Sequence, residues 1–259
     1  MSAGDVTLAI DGGVARMTFA RPEAMNAMTW AMYDQFEAHC RTLAESDEVR
    51  VVVLRGAGGR AFIAGSDIKQ FGAFASAEDG LDYERKMERI VGGLSAVRAP
   101  IVGVVDGLAV GGGLSMVAQC DIRIAAKGAR FGVPIARTVG NCLSMSNYAG
   151  VLAAFGEGRA KRMLILGDLI DADELYASGF LARVVEPEAM DETVERVVAR
   201  LLANAPLSMM ASKTAFSRLA RAGERPEEED FIRSCYGSAD FKEGVRAFSE
   251  GRKPRWTGA

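Results

Sequence analysis

Two glycine-rich segments carry the clearest indication of chemistry in this sequence. The first runs from Ala64 to Lys69 (AGSDIK) and the second is the triplet at 111–113. They follow the apolar runs at 51–54 and 101–105, which are typical of buried strands. Glycines there let a ligand approach the backbone, and a helix N-terminus adds positive potential. Two backbone N–H groups converging on one carbonyl oxygen would form an oxyanion hole. Two tight turns of an α/β protein would give the same pattern.

The sequence offers few residues for a nucleophilic triad or a metal site. His39 is the single histidine, so a triad or a multi-histidine metal site would have to be built around it. A hydrolase that uses His39, with a serine or with Cys142 as its nucleophile, stays an alternative. The four cysteines contain no CxxC pair and are typical of reduced thiols, which indicates no metal site; they are Cys40, Cys120, Cys142 and Cys235.

The composition excludes several classes of protein. The 259 residues include 31 Lys and Arg against 34 Asp and Glu, a net charge of −3, which argues against a nucleic-acid partner. No apolar run approaches the roughly 20 residues of a membrane helix. The first residues lack a basic region followed by an apolar core, so we expect a cytoplasmic protein. Hydrophobic residues at 49% and charged residues at 25% are typical of a soluble globular chain.

The elements around the glycines indicate an α/β protein. Alternating residues at 6–10 and 14–19 predict a β-hairpin, and Thr29 can cap a helix over 30–44. Strands then alternate with helices, and helices dominate the later part, which predicts a ββα-type core with a helical C-terminal part. Further strands are expected at 121–125 and 130–133, an irregular polar stretch at 137–147, and helices at 77–96, 114–118, 158–166, 172–178, 191–203, 208–222 and 227–236.

Several segments, taken in order along the chain, resemble the crotonase (enoyl-CoA hydratase/isomerase) superfamily. They are RPEAMNAM at 21–28, AFIAGSDIK at 61–69, GLAVGGG at 107–113, CDIR at 120–123, FGVP at 131–134, and DFKEGVRAF at 240–248 followed by RKP at 252–254. The resemblance spans nearly the whole chain. It implies a crotonase-like spiral of ββα repeats over 1–190 with an acyl-CoA site. It also implies a helical region over 191–259 that completes the CoA site and mediates a homotrimer or a hexamer.

The resemblance assigns roles to particular residues. The oxyanion-hole donors would be the backbone N–H groups of Ser66 and Gly112. The CoA moiety would be bound by Glu23, Ala24, Met25, Ala64, Asp67, Ile68, Lys69, Phe248 and Arg252, the last together with Lys253. Because CoA is part of the substrate, no separate cofactor is expected.

The sequence departs from the family at both acidic positions. The family's hydratases use two glutamates, and the matching positions here are Ser115 and Ile135. A serine hydroxyl lacks basicity without a partner and isoleucine has no exchangeable proton. Since each acid–base group contributes on the order of 10²–10⁴-fold, we expect little hydratase activity by the usual route.

Two reactions and one non-enzymatic role fit these residues. The leading interpretation is an acyl-CoA enzyme, a lyase or isomerase, that stabilises a thioester enolate in the oxyanion hole. Decarboxylation of a malonyl-type acyl-CoA needs no base, and Arg137 could then hold the departing carboxylate. A catalytically silent acyl-CoA-binding oligomer is the non-enzymatic alternative. Cys142 and Tyr148 are weaker candidates for a replacement nucleophile or acid.

Overall fold

Ten strands form two sheets in the computed structural model of the chain, which describes residues 3–204, 206–220, 232–233 and 236–255. The strands are β1 (Asp5–Asp11), β2 (Val14–Ala20), β3 (Val51–Gly56), β4 (Ala61–Ala64), β5 (Ile101–Val105), β6 (Leu108–Val110), β7 (Ile122–Ala126), β8 (Arg130–Gly132), β9 (Ile170–Asp171) and β10 (Arg183–Val185). The large sheet has the order β1-β2-β3-β5-β7-β10, and the small sheet has the order β4-β6-β8-β9. Strand pairs are parallel except for the β1–β2 hairpin and the β8–β9 pair.

Eight α-helices connect or cover these strands in the described part of the chain. They are α1 (Trp30–Glu45), α2 (Ala77–Gly92), α3 (Gly112–Ala118), α4 (Met145–Lys161), α5 (Ala172–Ala177), α6 (Met190–Ala203), α7 (Pro206–Ala220) and α8 (Ala239–Ser249). Short 3₁₀ turns lie at Pro22–Ala24, Ile68–Ala73, Gly93–Ala96, Ile135–Arg137 and Pro187–Ala189, and a π-turn at Arg162–Leu166. None of the helices that the structure describes is long and apolar enough to cross a membrane.

The middle of the chain repeats one unit three times. Each unit gives one strand to the large sheet, the next strand to the small sheet, and then a helix. The units are β3-β4-α2, β5-β6-α3 and β7-β8-α4. The predicted ββα architecture is therefore confirmed.

The large sheet is apolar on both faces, which explains the continuous apolar runs of its strands. In β3, Val52 and Leu54 face the main core, which includes residues of α1 such as Phe36. Val51 and Val53 face the other side and pack in a cluster with Val194 and neighbouring residues of α6. The alternation follows the two-residue period of a strand, so both faces of the sheet are covered.

Several features differ from the predicted elements. Strands β9 and β10 were not predicted, and the helix predicted at 158–166 falls on the end of α4 and the π-helical turn. The stretch predicted as irregular over 137–147 contains the start of α4, because the Ser144 side chain accepts a hydrogen bond from the Asn147 N–H (3.3 Å) and caps the helix. The glycine-rich segments follow β4 and β6 of the small sheet rather than the long strands. At four and three residues, those strands are too short for a periodic pattern. Most of the helix predicted at 227–236 lies outside the described residues.

Candidate active site

The two glycine-rich segments meet at one edge of the small sheet. Ala64 of β4 and Val110 of β6 are register partners in a parallel pair. Ser66 lies two residues after Ala64, and Gly112 lies two residues after Val110. The two chain segments therefore leave the sheet side by side. Gly111, between Val110 and Gly112, adopts a φ of 57°, a left-handed conformation that favours glycine.

Both backbone N–H groups remain available as donors. Within the described residues, neither the Ser66 nor the Gly112 N–H forms a hydrogen bond with another backbone or side-chain group. Gly112 is the first residue of α3, where backbone N–H groups have no partner within the helix. The next residue has no room for a side chain, since a Cβ at Gly113 would lie 2.3 Å from the carbonyl oxygen of Ile63. Helix α3 is thereby held directly against β4.

These segments form part of the wall of a cavity of about 510 Å³. Its lining combines many apolar side chains with a few polar groups, which is typical of a small-molecule site. The residues lining it include Arg21, Ala24, Met25, Ala27, Ala64, Ser66, Asp67, Ile68, Lys69, Phe71, Tyr83, Glu84, Met87, Val110, Gly112, Ser115, Ile135, Thr138, Asn141, Leu143, Asn147 and Phe248.

The loop at 21–28 is locked against the segment at 64–67. The Met28 N–H donates to the Gly65 carbonyl (2.9 Å), and the Asp67 N–H donates to the Met28 carbonyl (2.8 Å). The Arg21 guanidinium donates to the Ala27 carbonyl (3.0 Å) and forms a salt bridge with Asp67 (2.9 Å). These bonds fix the loop that was predicted to bind CoA relative to the Ser66 donor.

A buried hydroxyl network supports the same segment. The Ser66 hydroxyl is hydrogen bonded to the hydroxyls of Tyr33 (2.8 Å) and Tyr83 (2.9 Å). Burial raises the pKa of Tyr33 to about 12, and burial likewise raises the pKa of Tyr83 well above its ordinary value. Both phenols are therefore protonated hydrogen-bonding groups at neutral pH. They join α1 and α2 to the Ser66 loop.

One carboxylate lies on the cavity side of α2. Glu84 is 2% exposed, yet it contributes to the cavity wall. Its Oε1 accepts a hydrogen bond from the Tyr236 hydroxyl (2.6 Å), and its Oε2 accepts one from the Ser144 N–H (2.9 Å). Asn141 donates in turn to the Tyr236 oxygen (3.1 Å). Burial and the nearby charge of Glu84 raise the pKa of Tyr236 well above its ordinary value.

Most residues assigned from the resemblance come together in this cavity. They are Ser66, Gly112, Ser115, Ile135, Ala24, Met25, Ala64, Asp67, Ile68, Lys69 and Phe248. Glu23, Arg137 and Arg252 do not line it. Glu23 is exposed on the loop, and Arg137 is exposed, with its side chain near Gly167. Arg252 is held by Glu243 and Glu250, and its guanidinium keeps the pKa of Glu243 well below the usual range.

The residues of the hydrolase alternative are not brought together. The His39 ring is hydrogen bonded to the Val6 carbonyl (2.8 Å), between α1 and β1. Cys142 is buried, and neither residue lines the cavity. Asp121 has a structural role, because it accepts hydrogen bonds from the Ile101 N–H (2.8 Å) and from Lys213 (2.9 Å).

Sequence reasoning missed Tyr33, Tyr83 and Glu84. A signal for the carboxylate was present, since Leu81, Glu84, Met87 and Val91 follow the three- and four-residue spacing of one helix face. An acidic residue on an otherwise apolar stripe indicates a buried polar site.

Comparison with known proteins gives matches over nearly the whole chain. A family model described as Enoyl-CoA hydratase/isomerase matches residues 9–259. The short-chain-enoyl-CoA hydratase of Clostridium acetobutylicum is 30% identical, and the match covers 98% of this chain and 97% of that protein. The (E)-benzylidenesuccinyl-CoA hydratase of Thauera aromatica is 32% identical, with 98% and 99% covered.

Solved structures of similar proteins share the whole fold. An enoyl-CoA hydratase from Mycobacterium avium subsp. paratuberculosis has a TM-score of 0.85 and 29% identity, with 99% of each chain covered. A methylmalonyl-CoA decarboxylase in complex with 2S-carboxypropyl-CoA has a TM-score of 0.88 and 26% identity, with 100% of each chain covered. By sequence and by fold, the chain belongs to the enoyl-CoA hydratase/isomerase family.

Proposed function

We propose that the chain is an enzyme that binds an acyl-CoA thioester and stabilises its enolate. The thioester oxygen accepts hydrogen bonds from the N–H groups of Ser66 and Gly112. Negative charge grows on that oxygen as the enolate forms, so fixed donors bind the transition state more strongly than the ground state. Removing one such donor costs about 3–4 kcal/mol in comparable sites.

The observation that carries this proposal is the shared register of the two donors. Ser66 and Gly112 follow paired strands at equal offsets, and both line one largely apolar cavity. Phe248 of α8 is half exposed and also lines the cavity, which supports an open end where the CoA moiety leaves toward solvent.

A pair of variants at one position tests the donor. Proline is tolerated at the first residue of a helix, so Gly112→Pro removes the N–H while α3 is retained. Gly112→Ala is the matched control, since it adds a Cβ near the Tyr33 hydroxyl but keeps the N–H. We expect the infrared carbonyl stretch of bound butyryl-CoA to shift to lower frequency in the wild type and in the alanine variant, and to shift clearly less in the proline variant, which keeps only the Ser66 donor. Identical spectra in all three proteins would contradict the proposal.

A second candidate reaction is decarboxylation of a malonyl-type acyl-CoA. Ser115 and Ile135 line the cavity at the positions of the family's glutamates, and this reaction forms the enolate by loss of CO₂ without a base. The similarity to methylmalonyl-CoA decarboxylase also favours it. Incubation with methylmalonyl-CoA and with crotonyl-CoA separates the reactions, by CO₂ release or by loss of the enoyl absorbance. Tight binding without either reaction would favour a silent acyl-CoA-binding protein.

We also propose a homotrimer or hexamer in which the region 191–259 takes part. Phe216 in this region, and Ile165 and Leu166 before it, are large apolar side chains that are each about 70% exposed in the single chain. Burying such side chains between subunits is favourable. Sedimentation equilibrium measures the assembly, and a monomer at micromolar concentration would overturn this part of the proposal.

A further inference from the structure

Glu84 is a buried carboxylate on the wall of the same cavity as the two oxyanion donors. Burying a charged group is costly unless hydrogen bonds replace its water. Here the Tyr236 hydroxyl and the Ser144 N–H donate to its two oxygens, so both donors stabilise the carboxylate form. Two carboxylates line the cavity among the described residues, and the other, Asp67, is in a salt bridge with Arg21.

The position of Glu84 is tied to the oxyanion donors by hydrogen bonds. Its neighbour Tyr83 is bonded to the Ser66 hydroxyl, and Ser66 is bonded to Tyr33. Helix α2 is therefore linked directly to the loop that presents the Ser66 N–H. On the opposite side, the bond from Ser144 links Glu84 to the start of α4. The carboxylate is thus fixed between the Ser66 loop and the segment at 141–147, which also lines the cavity.

We propose that Glu84 is the acid–base residue that transfers the proton at Cα of the bound acyl-CoA. This inference rests on the proposed function, since it needs a thioester in the oxyanion hole. A carboxylate oxygen takes the proton, the Cα–H bond breaks, and its electron pair forms the enolate. The enolate oxygen is held by the N–H groups of Ser66 and Gly112. The same carboxyl group returns the proton to Cα, or to Cγ of a 3-enoyl thioester, which gives the 2-enoyl isomer without a co-reactant.

The first test is exchange of the Cα hydrogens of butyryl-CoA with deuterium in D₂O, followed by mass spectrometry. Glu84→Gln keeps the shape of the side chain and an acceptor for Tyr236, but its amide cannot act as a base. We expect exchange at least 100-fold slower than in the wild type, with butyryl-CoA affinity within about threefold. The matched control is Asp82→Asn, the same change at an exposed carboxylate of α2; it should exchange like the wild type.

The outcomes separate the two proposals. If the wild type binds no acyl-CoA, the proposed function fails. If it binds butyryl-CoA but does not exchange, or if Glu84→Gln exchanges as fast as the wild type, the role of Glu84 alone is overturned.

A second test uses the wild-type protein, so it does not depend on the folding of a variant. A carboxylate next to Cα displaces bromide from 2-bromobutyryl-CoA, since the C–O bond forms as the C–Br bond breaks. Peptide mass spectrometry should locate the ester on Glu84, and excess butyryl-CoA should protect against it. An adduct on another residue, or no adduct with a bound reagent, would overturn the inference.

Discussion

The hydroxyl of Tyr33 lies 2.8 Å from the hydroxyl of Ser66, although the two residues belong to a long helix and to a loop beyond the small sheet. The same Tyr33 oxygen would lie 3.0 Å from a Cβ at Gly112. One buried phenol is therefore hydrogen bonded to one of the segments that carry the proposed oxyanion donors and lies next to the other. This arrangement explains how two loops from different repeats keep a fixed relative position.

Removing the Tyr33 hydroxyl should loosen this arrangement. We expect Tyr33→Phe to lower the free energy of unfolding by about 1 kcal/mol at pH 7, which is the usual net contribution of a buried hydrogen bond. Acyl-CoA turnover should fall about fivefold to tenfold, because Ser66 loses one of its two tyrosine partners. Urea unfolding and steady-state kinetics measure both effects. The control is Tyr176→Phe, at an exposed tyrosine, and an equal loss in that variant would contradict the role of Tyr33.

The raised pKa of Tyr33 predicts that the stability of the folded chain falls at alkaline pH. The pKa of Tyr33 is raised to about 12 in the folded chain, above a value of about 10 for an unfolded tyrosine. The folded state therefore holds its proton more tightly. The associated stability is fully present below pH 10 and is lost as the pH rises toward 12.

By pH 11 this loss amounts to about 1.4 kcal/mol in the wild type and is absent in Tyr33→Phe. The stability difference between the two proteins should therefore disappear near pH 11. Urea unfolding at intervals between pH 8 and 11 measures this, and parallel curves over that range would show the prediction to be wrong.

Alanine substitutions at Gly113 and Gly150 compare a tightly packed backbone position with an open one. Ala at Gly113 would place its Cβ 2.3 Å from the Ile63 carbonyl oxygen, so α3 would have to move away from β4. We expect Gly113→Ala to lose more than about 3 kcal/mol of stability. Gly150 lies within α4 with open space around it, so Gly150→Ala should gain roughly 0.5–1 kcal/mol. Thermal unfolding distinguishes the two, and equal melting temperatures would contradict the model of a tight α3–β4 contact.

The Arg21–Asp67 salt bridge should contribute far more than an exposed one. Its side chains are 6% and 15% exposed, so Asp67→Asn removes one charge from a nearly buried ion pair. We expect a loss of about 3 kcal/mol and weaker acyl-CoA binding. Asp47→Asn, which breaks an exposed pair with Arg98, should change stability by less than about 0.5 kcal/mol. Similar losses in both variants would refute the prediction.

The role of Arg137 in holding a substrate carboxylate, assigned from the sequence, can be tested directly. The side chain is exposed and does not line the cavity. We expect Arg137→Met to keep kcat/KM for methylmalonyl-CoA and crotonyl-CoA within about twofold of the wild type. A drop of 100-fold for methylmalonyl-CoA alone would restore the role in holding a carboxylate.

The sequence predicted the parts of the site that depend on local pattern. The segments around Ser66 and Gly112 were found from glycines after apolar runs, because strand ends and helix starts leave such local signals. The short strands β4 and β6 were missed, since the pairing of Ala64 with Val110 depends on a neighbour 46 positions along the chain. The hydrogen-bond partners of Glu84 could not be predicted from the sequence either. Its donors Tyr236 and Ser144 lie 152 and 60 positions away, and only the folded chain brings them to one carboxylate.

The equal offset of Ser66 and Gly112 beyond their paired strands has an evolutionary consequence. In the proposed site the donors to the thioester oxygen are main-chain N–H groups, so a change of side chain elsewhere in the cavity wall does not remove them. A one-residue insertion or deletion after β4 or β6 would turn a donor away. We therefore expect that the reaction of a protein with this fold can change through side chains around a fixed pair of donors, while the number of residues between each short strand and its donor cannot change.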